Sequence, residues 1–118
     1  MDKQEYKIRS EEIRTLVEEK NYREAAEIAD TIDWRRVKSV KMLCTISDIY
    51  KMVRRYEDSK TILEMAYEKR PGSRMIVYAL TELCLKLSDV VNAWEYYKEF
   101  CQVAPEDSRK YILLCKVY

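Results

Sequence analysis

The sequence predicts an all-α fold, built as an array of antiparallel helical hairpins, and three observations lead to it. First, the stretch from Arg55 to Ser73 recurs 34 residues downstream and, more weakly, 34 residues upstream. Second, one Gly and two Pro in 118 residues are too few for the turns of a sheet, which need residues of positive φ. Third, apolar residues fall at helical spacing along the chain. A repeat protein of helix pairs is therefore expected.

Composition and charge exclude several classes of function. Hydrophobic residues make up 47% and charged residues 36%, so the chain should fold as one domain. Lys and Arg number 22 against 21 Asp and Glu, a net charge of +1, so no global field attracts nucleic acid or an anionic membrane. No apolar run approaches the roughly 18 residues of a membrane span. We predict a cytoplasmic protein that binds neither nucleic acid nor membrane.

The first helices follow from periodicity and cap residues. Apolar positions in residues 2 to 19 predict a thinly amphipathic helix. Asn21, with Glu24 three residues later, is typical of the reciprocal cap that begins a helix. The link that follows lacks the proline of the later repeats, so we expect a tight turn around Asp33 and a packing anchor at Trp34.

The later helices repeat this alternation, and their predicted ranges are 37–53, 56–69, 74–87, 90–103 and 108–118. Pro71 with Gly72, and later Pro105, should each end a second helix, because proline removes a backbone donor. We predict one domain over residues 1–118, with repeats at about 6–39, 40–73 and 74–107 and a terminal helix or half-repeat at 108–118.

The recurring residues resemble a known family. The motif is Leu43, Ile46, Ser47, Tyr50, Tyr56, Ser59, Leu63, Ala66 and Pro71, then Val77, Leu80, Thr81, Cys84, Ala93, Tyr97, Phe100 and Pro105. This 34-residue helix–turn–helix pattern resembles the tetratricopeptide repeat (TPR). The resemblance implies a right-handed superhelix whose first helices line a concave groove for a peptide or partner helix. Pentatricopeptide repeats, which read RNA, and half-a-TPR repeats are the alternatives, and the period, charge, Ala and Pro placements favour the ordinary form.

Neither catalysis nor a metal or cofactor site is predicted. The chain has no His, one Gly, and four Cys without a C-x-x-C pair. Cys84, Cys101 and Cys115 are expected in the core as small apolar residues. Cys44 alone projects toward the groove, where a redox or alkylation role is an open alternative.

The resemblance also predicts the peptide-binding groove. Its residues are Lys7, Arg14, Lys41, Cys44, Asp48, Lys51, Met52, Tyr78, Glu82, Lys86, Arg109 and Lys116, and the wider lining adds Ser10, Val17, Glu18, Met75, Leu85 and Ile112. Seven of these residues are basic and three acidic, which indicates an acidic or carboxylate-bearing peptide. An ordinary solvated face is the alternative. Arg14, Asp48 and Glu82 stand where a chaperone-tail clamp would have its key Asn, so that clamp is not expected.

The last helix is apolar on most sides, with Tyr111, Ile112, Leu113 and Val117 as a predicted self-association end. We predict a non-catalytic scaffold that binds a protein or peptide in its groove. The alternatives are a structural or self-assembling segment, forming a homo-oligomer through the C-terminal helix, and a regulatory segment of a longer protein.

Overall fold

The computed structural model describes the backbone of residues 3–117 and, within that range, every side chain except those of Leu113 and Val117. Its helices are α1 Lys3–Glu18, α2 Tyr22–Ala29, α3 Val40–Met52, α4 Tyr56–Lys69, α5 Arg74–Lys86, α6 Val90–Val103 and α7 Arg109–Val117, with a 3-10 helix at Trp34–Arg36. The predicted all-α fold is confirmed. The outer ends of the first and last predicted helices, residues 2 and 118, lie outside the described residues.

Consecutive helices pack as hairpins that stack side by side. α1 lies against α2, α3 against α4 and α5 against α6, and contacts of α2 with α3 and of α4 with α5 join one hairpin to the next. α7 packs on α5 and α6. The stack is elongated, with extents of 43 × 24 × 22 Å.

The turn inside each hairpin recurs with the period of the sequence. Lys20, Arg54 and Ser88 have positive φ angles of 60°, 65° and 60°. The amide after each of them donates back into the preceding helix at 2.8 Å, from Asn21 to Leu16 O, from Arg55 to Tyr50 O and from Asp89 to Cys84 O. This is the Schellman ending of a helix, usually built with glycine. Here three other residues adopt it, 34 positions apart.

A small buried side chain stands where the two helices of each hairpin meet. In the second hairpin the hydroxyls of Ser47 and Ser59 lie 2.8 Å apart. Ser59 Oγ donates to Ser47 O at 2.7 Å and Ser47 Oγ donates to Ser59 O at 3.1 Å. Ala25 and Ala93 occupy the same place in the other hairpins, and all three second-helix residues are 0% exposed. A larger side chain would force the helices apart.

A charged cluster fastens the first hairpin to the second. Asp30, just after α2, accepts a hydrogen bond from Tyr50 Oη at 2.8 Å and two from Arg55, at 2.8 and 3.0 Å. The Arg55 guanidinium also lies 4.6 Å from the centroid of the Tyr50 ring. The hydrogen bonds from Arg55 hold the pKa of Asp30 below its usual range. Because these groups come from both hairpins, they fix the position of α1 and α2 relative to α3.

The predicted helix ends are partly wrong. Pro71 and Pro105 do follow the ends of α4 and α6, but α3 begins at Val40, not at residue 37. The 3-10 helix Trp34–Arg36 lies in the link before α3. The Asp33 side chain caps this short helix by accepting a hydrogen bond from the amide of Arg35 at 3.2 Å. Asn21 makes no side-chain cap hydrogen bond. The backbone amide of Asn21 instead donates to Leu16 O in the Schellman ending of α1, and this hydrogen bond fixes the orientation of Asn21.

The cysteine predictions are also partly wrong. Cys84 is buried, Cys101 is half-buried and Cys115 is exposed. Cys115 repeats the position of Ser47 and Thr81, which are covered by the second helices α4 and α6. The described residues contain no such helix after α7, so the thiol of Cys115 faces solvent.

We expect Arg54→Gly to raise the free energy of unfolding by up to about 1 kcal/mol. A left-handed conformation costs a residue with a Cβ roughly 1–2 kcal/mol, and the greater freedom of glycine in the unfolded chain cancels part of that gain. Urea denaturation measures the change. Arg70→Gly is the matched control, because Arg70 has a φ of −140° and gains nothing from glycine. Equal losses in both variants would contradict the account of this turn.

Candidate functional site

The first helices α1 and α3 bring two basic residues to one recess. Arg14 and Lys41 line it together with Ser39, Met42 and Thr45, and its volume is about 450 Å³. Ser39 Oγ accepts from the amide of Met42 at 3.2 Å, and Thr45 Oγ1 donates to Lys41 O at 3.0 Å. Both hydroxyls are therefore bonded to backbone, and the two cations are the charged groups of this recess.

The basic residues of the predicted groove fall into two groups. Within residues 3–117, Lys7, Arg14 and Lys41 are exposed and have no carboxylate at ion-pair distance. These three residues belong to the N-terminal half of the groove. Lys51, which is half-buried, and Lys86, whose amino group lies over the Tyr56 ring, also have no ion pair in this part of the chain.

Two basic residues of the C-terminal half, Arg109 and Lys116, already have carboxylate partners. Lys116 Nζ lies 2.7 Å from Glu82 Oε2, so the pair joins α7 to α5. Arg109 Nη2 lies 2.6 Å from Asp107 Oδ2. Hydrogen bonds from Arg109 lower the pKa of Asp107 well below its usual range. These pairs neutralise their own cations.

Aromatic rings hold two of the same basic residues. The Arg109 guanidinium stands 5.2 Å from the ring centroid of Tyr78, and Lys86 Nζ stands 5.5 Å from that of Tyr56. Tyr78 in turn packs edge-on against Phe100, with centroids 5.6 Å apart. Tyr78 is thus half-buried, and less of it faces the groove than the sequence indicated.

The middle of α3 presents an acidic residue and a thiol. Asp48 is open to water, yet burial among neighbouring atoms raises the pKa of its carboxyl, with Lys51 partly opposing the change. Such a combination is expected for a residue in a concave surface. Burial, with a contribution from Asp48, also raises the pKa of the Cys44 thiol. A thiol with a raised pKa is less reactive, which argues against the redox or alkylation role.

The remaining predicted residues divide between surface and core. Met52 on α3 is 59% exposed, Lys51 is half-buried, and Tyr111 and Ile112 on α7 are 63% and 52% exposed. Ser10 is only 6% exposed and donates to Lys7 O at 3.0 Å, so its assignment to the groove lining was wrong. Its place on α1 faces the core of the first hairpin. The side chains of Leu113 and Val117 lie outside the described residues.

A second recess, which the sequence did not predict, lies beside the first. It is lined by Lys3, Tyr6, Thr31, Ile32, Asp33, Arg36, Val37, Lys38 and Ser39, and its volume is about 630 Å³. It exists because α2 has 8 residues whereas α4 and α6 have 14, so the chain leaves the helix early. The sequence has Val37 where the later repeats have proline, and this predicted a different link but not an open recess.

Comparison with solved structures identifies the fold. The chain superposes on MamA (MamA RS-1 ArsTM double mutant) with a TM-score of 0.77 and 19% identity, over 95% of this chain and 63% of that one. It superposes on PcrH in complex with the chaperone binding region of PopD with a TM-score of 0.66 and 10% identity, over 99% of this chain and 88% of that one. The chain has a tetratricopeptide-like fold.

The same comparisons define how far the likeness extends. Both neighbours are TPR-type superhelices, and at these identities the likeness establishes the fold alone. The TPR-like chain spans 63% of the length of the MamA chain. No protein-family model matches the sequence, and no curated protein matches it.

Among residues 3–117, no three His, Cys, Asp or Glu side chains are grouped so that they could hold a metal ion. In the same part of the chain, no helix is both long and apolar enough to cross a bilayer.

We expect Asp48→Asn to increase stability at pH 7 by less than about 1 kcal/mol, since water still screens this charge. The folded-state pKa of Asp48 is raised, so the ionised form opposes folding above that pKa. The gain should therefore disappear as the pH falls below about 4, where the carboxyl is protonated in both states. Urea denaturation at several pH values measures it. Glu68→Gln, at an exposed position on α4, is the control. A loss of stability at pH 7 in Asp48→Asn alone would contradict the assignment.

Proposed function

We propose that this chain is a protein-interaction scaffold that binds an extended acidic segment of a partner protein in the groove lined by α1, α3, α5 and α7. One observation carries the proposal: Arg14 and Lys41 line a common recess and have no ion pair within the described residues. Two adjacent cations without local carboxylates attract a carboxylate from outside.

The contact surface around these cations supports a peptide as the ligand. Met52 offers an exposed apolar side chain at the far end of α3, and Cys44 lies half-buried between it and Lys41. Binding an extended peptide in a groove uses such apolar contacts for affinity and charges for orientation. PcrH, which shares the fold, is seen in complex with the chaperone binding region of PopD, and this supports a protein partner.

The scaffold is proposed to be non-catalytic. The raised pKa of the Cys44 thiol makes it a poor nucleophile, and the hydroxyls of Ser39 and Thr45 are bonded to backbone. A cytoplasmic location stays a prediction from the sequence. The groove residues of the C-terminal half, Tyr78, Glu82, Lys86, Arg109 and Lys116, are proposed to shape the groove, since Glu82, Arg109 and Lys116 are in ion pairs and Tyr78 and Lys86 are in ring contacts.

Self-association through α7 is the second candidate, and a specific observation favours it. Tyr111 is 63% exposed, whereas Leu43 and Val77, at the same place in the preceding repeats, are 0% exposed. The equivalent side chains of the preceding repeats are buried in the core. An exposed large apolar side chain at such a position indicates a surface that another helix can cover. A second copy of the chain, or another part of a longer protein, would supply that helix.

We expect the double variant Arg14→Glu, Lys41→Glu to bind a fluorescent peptide of Asp and Glu residues at least tenfold more weakly than the original chain. Charge reversal replaces attraction by repulsion at the recess, and the affinity of the original chain should fall with added salt. Fluorescence anisotropy gives the dissociation constants. The matched control is Arg23→Glu, Lys69→Glu, which makes the same change in net charge at exposed positions on α2 and α4.

Equal weakening in both double variants would mean that only net charge matters, and the groove proposal would fail. If no acidic peptide binds and the chain sediments as a dimer that Tyr111→Glu dissociates, self-association is the function that remains. Ile8→Glu, at a 50% exposed position on α1, is the control for that experiment.

A further inference from the structure

The second recess has an apolar floor. Ile32 and Val37 are 7% and 8% exposed and form part of its lining. The ring of Tyr6, half-buried, stands against the buried Trp34 edge-on, with centroids 6.5 Å apart. Trp34 is itself held by a hydrogen bond from Nε1 to Ala29 O at 2.9 Å, which satisfies a carbonyl at the end of α2. The floor is therefore backed by packed side chains, of which Trp34 is also hydrogen-bonded to the end of α2.

The rim of this recess is basic. Among the described residues, Lys3, Arg36 and Lys38 line it, against one carboxylate, Asp33. Arg36 Nε lies 3.7 Å from Asp33 Oδ2, but the two side chains are 82% and 60% exposed, so this pair is weak. An apolar floor within a cationic rim fits an apolar side chain that has carboxylates on either side of it.

The two recesses adjoin each other. Ser39 lines both, between Lys38 on one side and Lys41 on the other. Tyr6 and Arg14 stand two turns apart on α1, and the charge of Arg14 acts on the Tyr6 hydroxyl. The floor, the rim and the paired cations thus form one continuous surface at the N-terminal end of the molecule.

We propose that the recess between α1 and the link from α2 to α3 is an anchor site for one large apolar side chain of an acidic peptide, whose neighbouring carboxylates continue past Ser39 to Arg14 and Lys41. The inference rests on the proposed function and adds where each part of the peptide binds. The apolar side chain binds in the recess where α2 ends early, and the acidic part binds in the groove. The length of α4 and α6 gives the later hairpins no equivalent link, so the anchor belongs to the first repeat.

The test compares two probes on the full chain. One is a short peptide of Asp and Glu with a central Leu-Phe pair, and the other has Ser-Ser in place of that pair. We expect the Leu-Phe peptide to bind at least tenfold more tightly, because its apolar side chains are removed from water when they enter the recess. Tyr6→Ala should reduce the affinity for the Leu-Phe peptide to that for the Ser-Ser peptide, whereas Tyr6→Phe, which keeps the ring, should not.

A second measurement uses the chain without any substitution. Its two tryptophans, Trp34 and Trp94, give two indole N–H signals in a nitrogen-15 correlation spectrum. The Leu-Phe peptide should shift the Trp34 signal, through the adjacent Tyr6 ring, and leave that of Trp94 in place. This readout does not depend on the stability of a variant.

The outcomes separate the two proposals. If both peptides bind equally, with Trp34 unmoved and binding lost in Arg14→Glu, Lys41→Glu, the anchor site is overturned while the groove proposal stands. If neither peptide binds, both proposals fall. Tighter binding of the Leu-Phe peptide together with a shift of Trp34 alone supports the anchor site.

Discussion

The two helices of each hairpin meet in a close contact, and both the stacking of the hairpins and the groove follow from it. In the second hairpin two serine hydroxyls meet at 2.8 Å, and each donates to the carbonyl of the other residue. Such a contact leaves no space for a larger side chain, so Ala25, Ser59 and Ala93 recur at 0% exposure. The two helices of each hairpin are therefore in close contact at equivalent positions, and hairpins joined in this way stack side by side.

Regular stacking determines what the first helices present to a partner. Equivalent positions of α1, α3, α5 and α7 recur along one surface, and the charges on that surface differ between its ends. Near α7 the cations are neutralised by Glu82 and Asp107. Near α1, Arg14 and Lys41 line a recess without such partners among the described residues. The molecule is thus nearly neutral as a whole, but within residues 3–117 its groove has unpaired cations near α1 and paired cations near α7. The net charge of +1 does not reveal this distribution.

The fold was predictable from the sequence because its determinants are local and repeated. Ser59 and Pro71 recur in kind after 34 residues, as Ala93 and Pro105, so the pattern indicates helix pairs without any knowledge of long-range contacts. The candidate site was predicted less well. Which cations are already paired depends on distances between helices, as for Lys116 and Glu82, and the sequence does not give these distances. The early end of α2 was also missed, because the hydrogen bond from Trp34 to Ala29 that stabilises it forms only in the folded chain.

The stability of two variants at Ser59 tests whether the close contact between α3 and α4 governs the hairpin. Ser59→Ala should lower the free energy of unfolding by only about 1 kcal/mol, the value of one hydrogen bond, because alanine occupies the same place in the other hairpins. Ser59→Leu should lower it by about 2 kcal/mol or more, since the added atoms have no space between α3 and α4. If the leucine variant is as stable as the alanine variant, the close contact does not govern the hairpin, and the account is wrong.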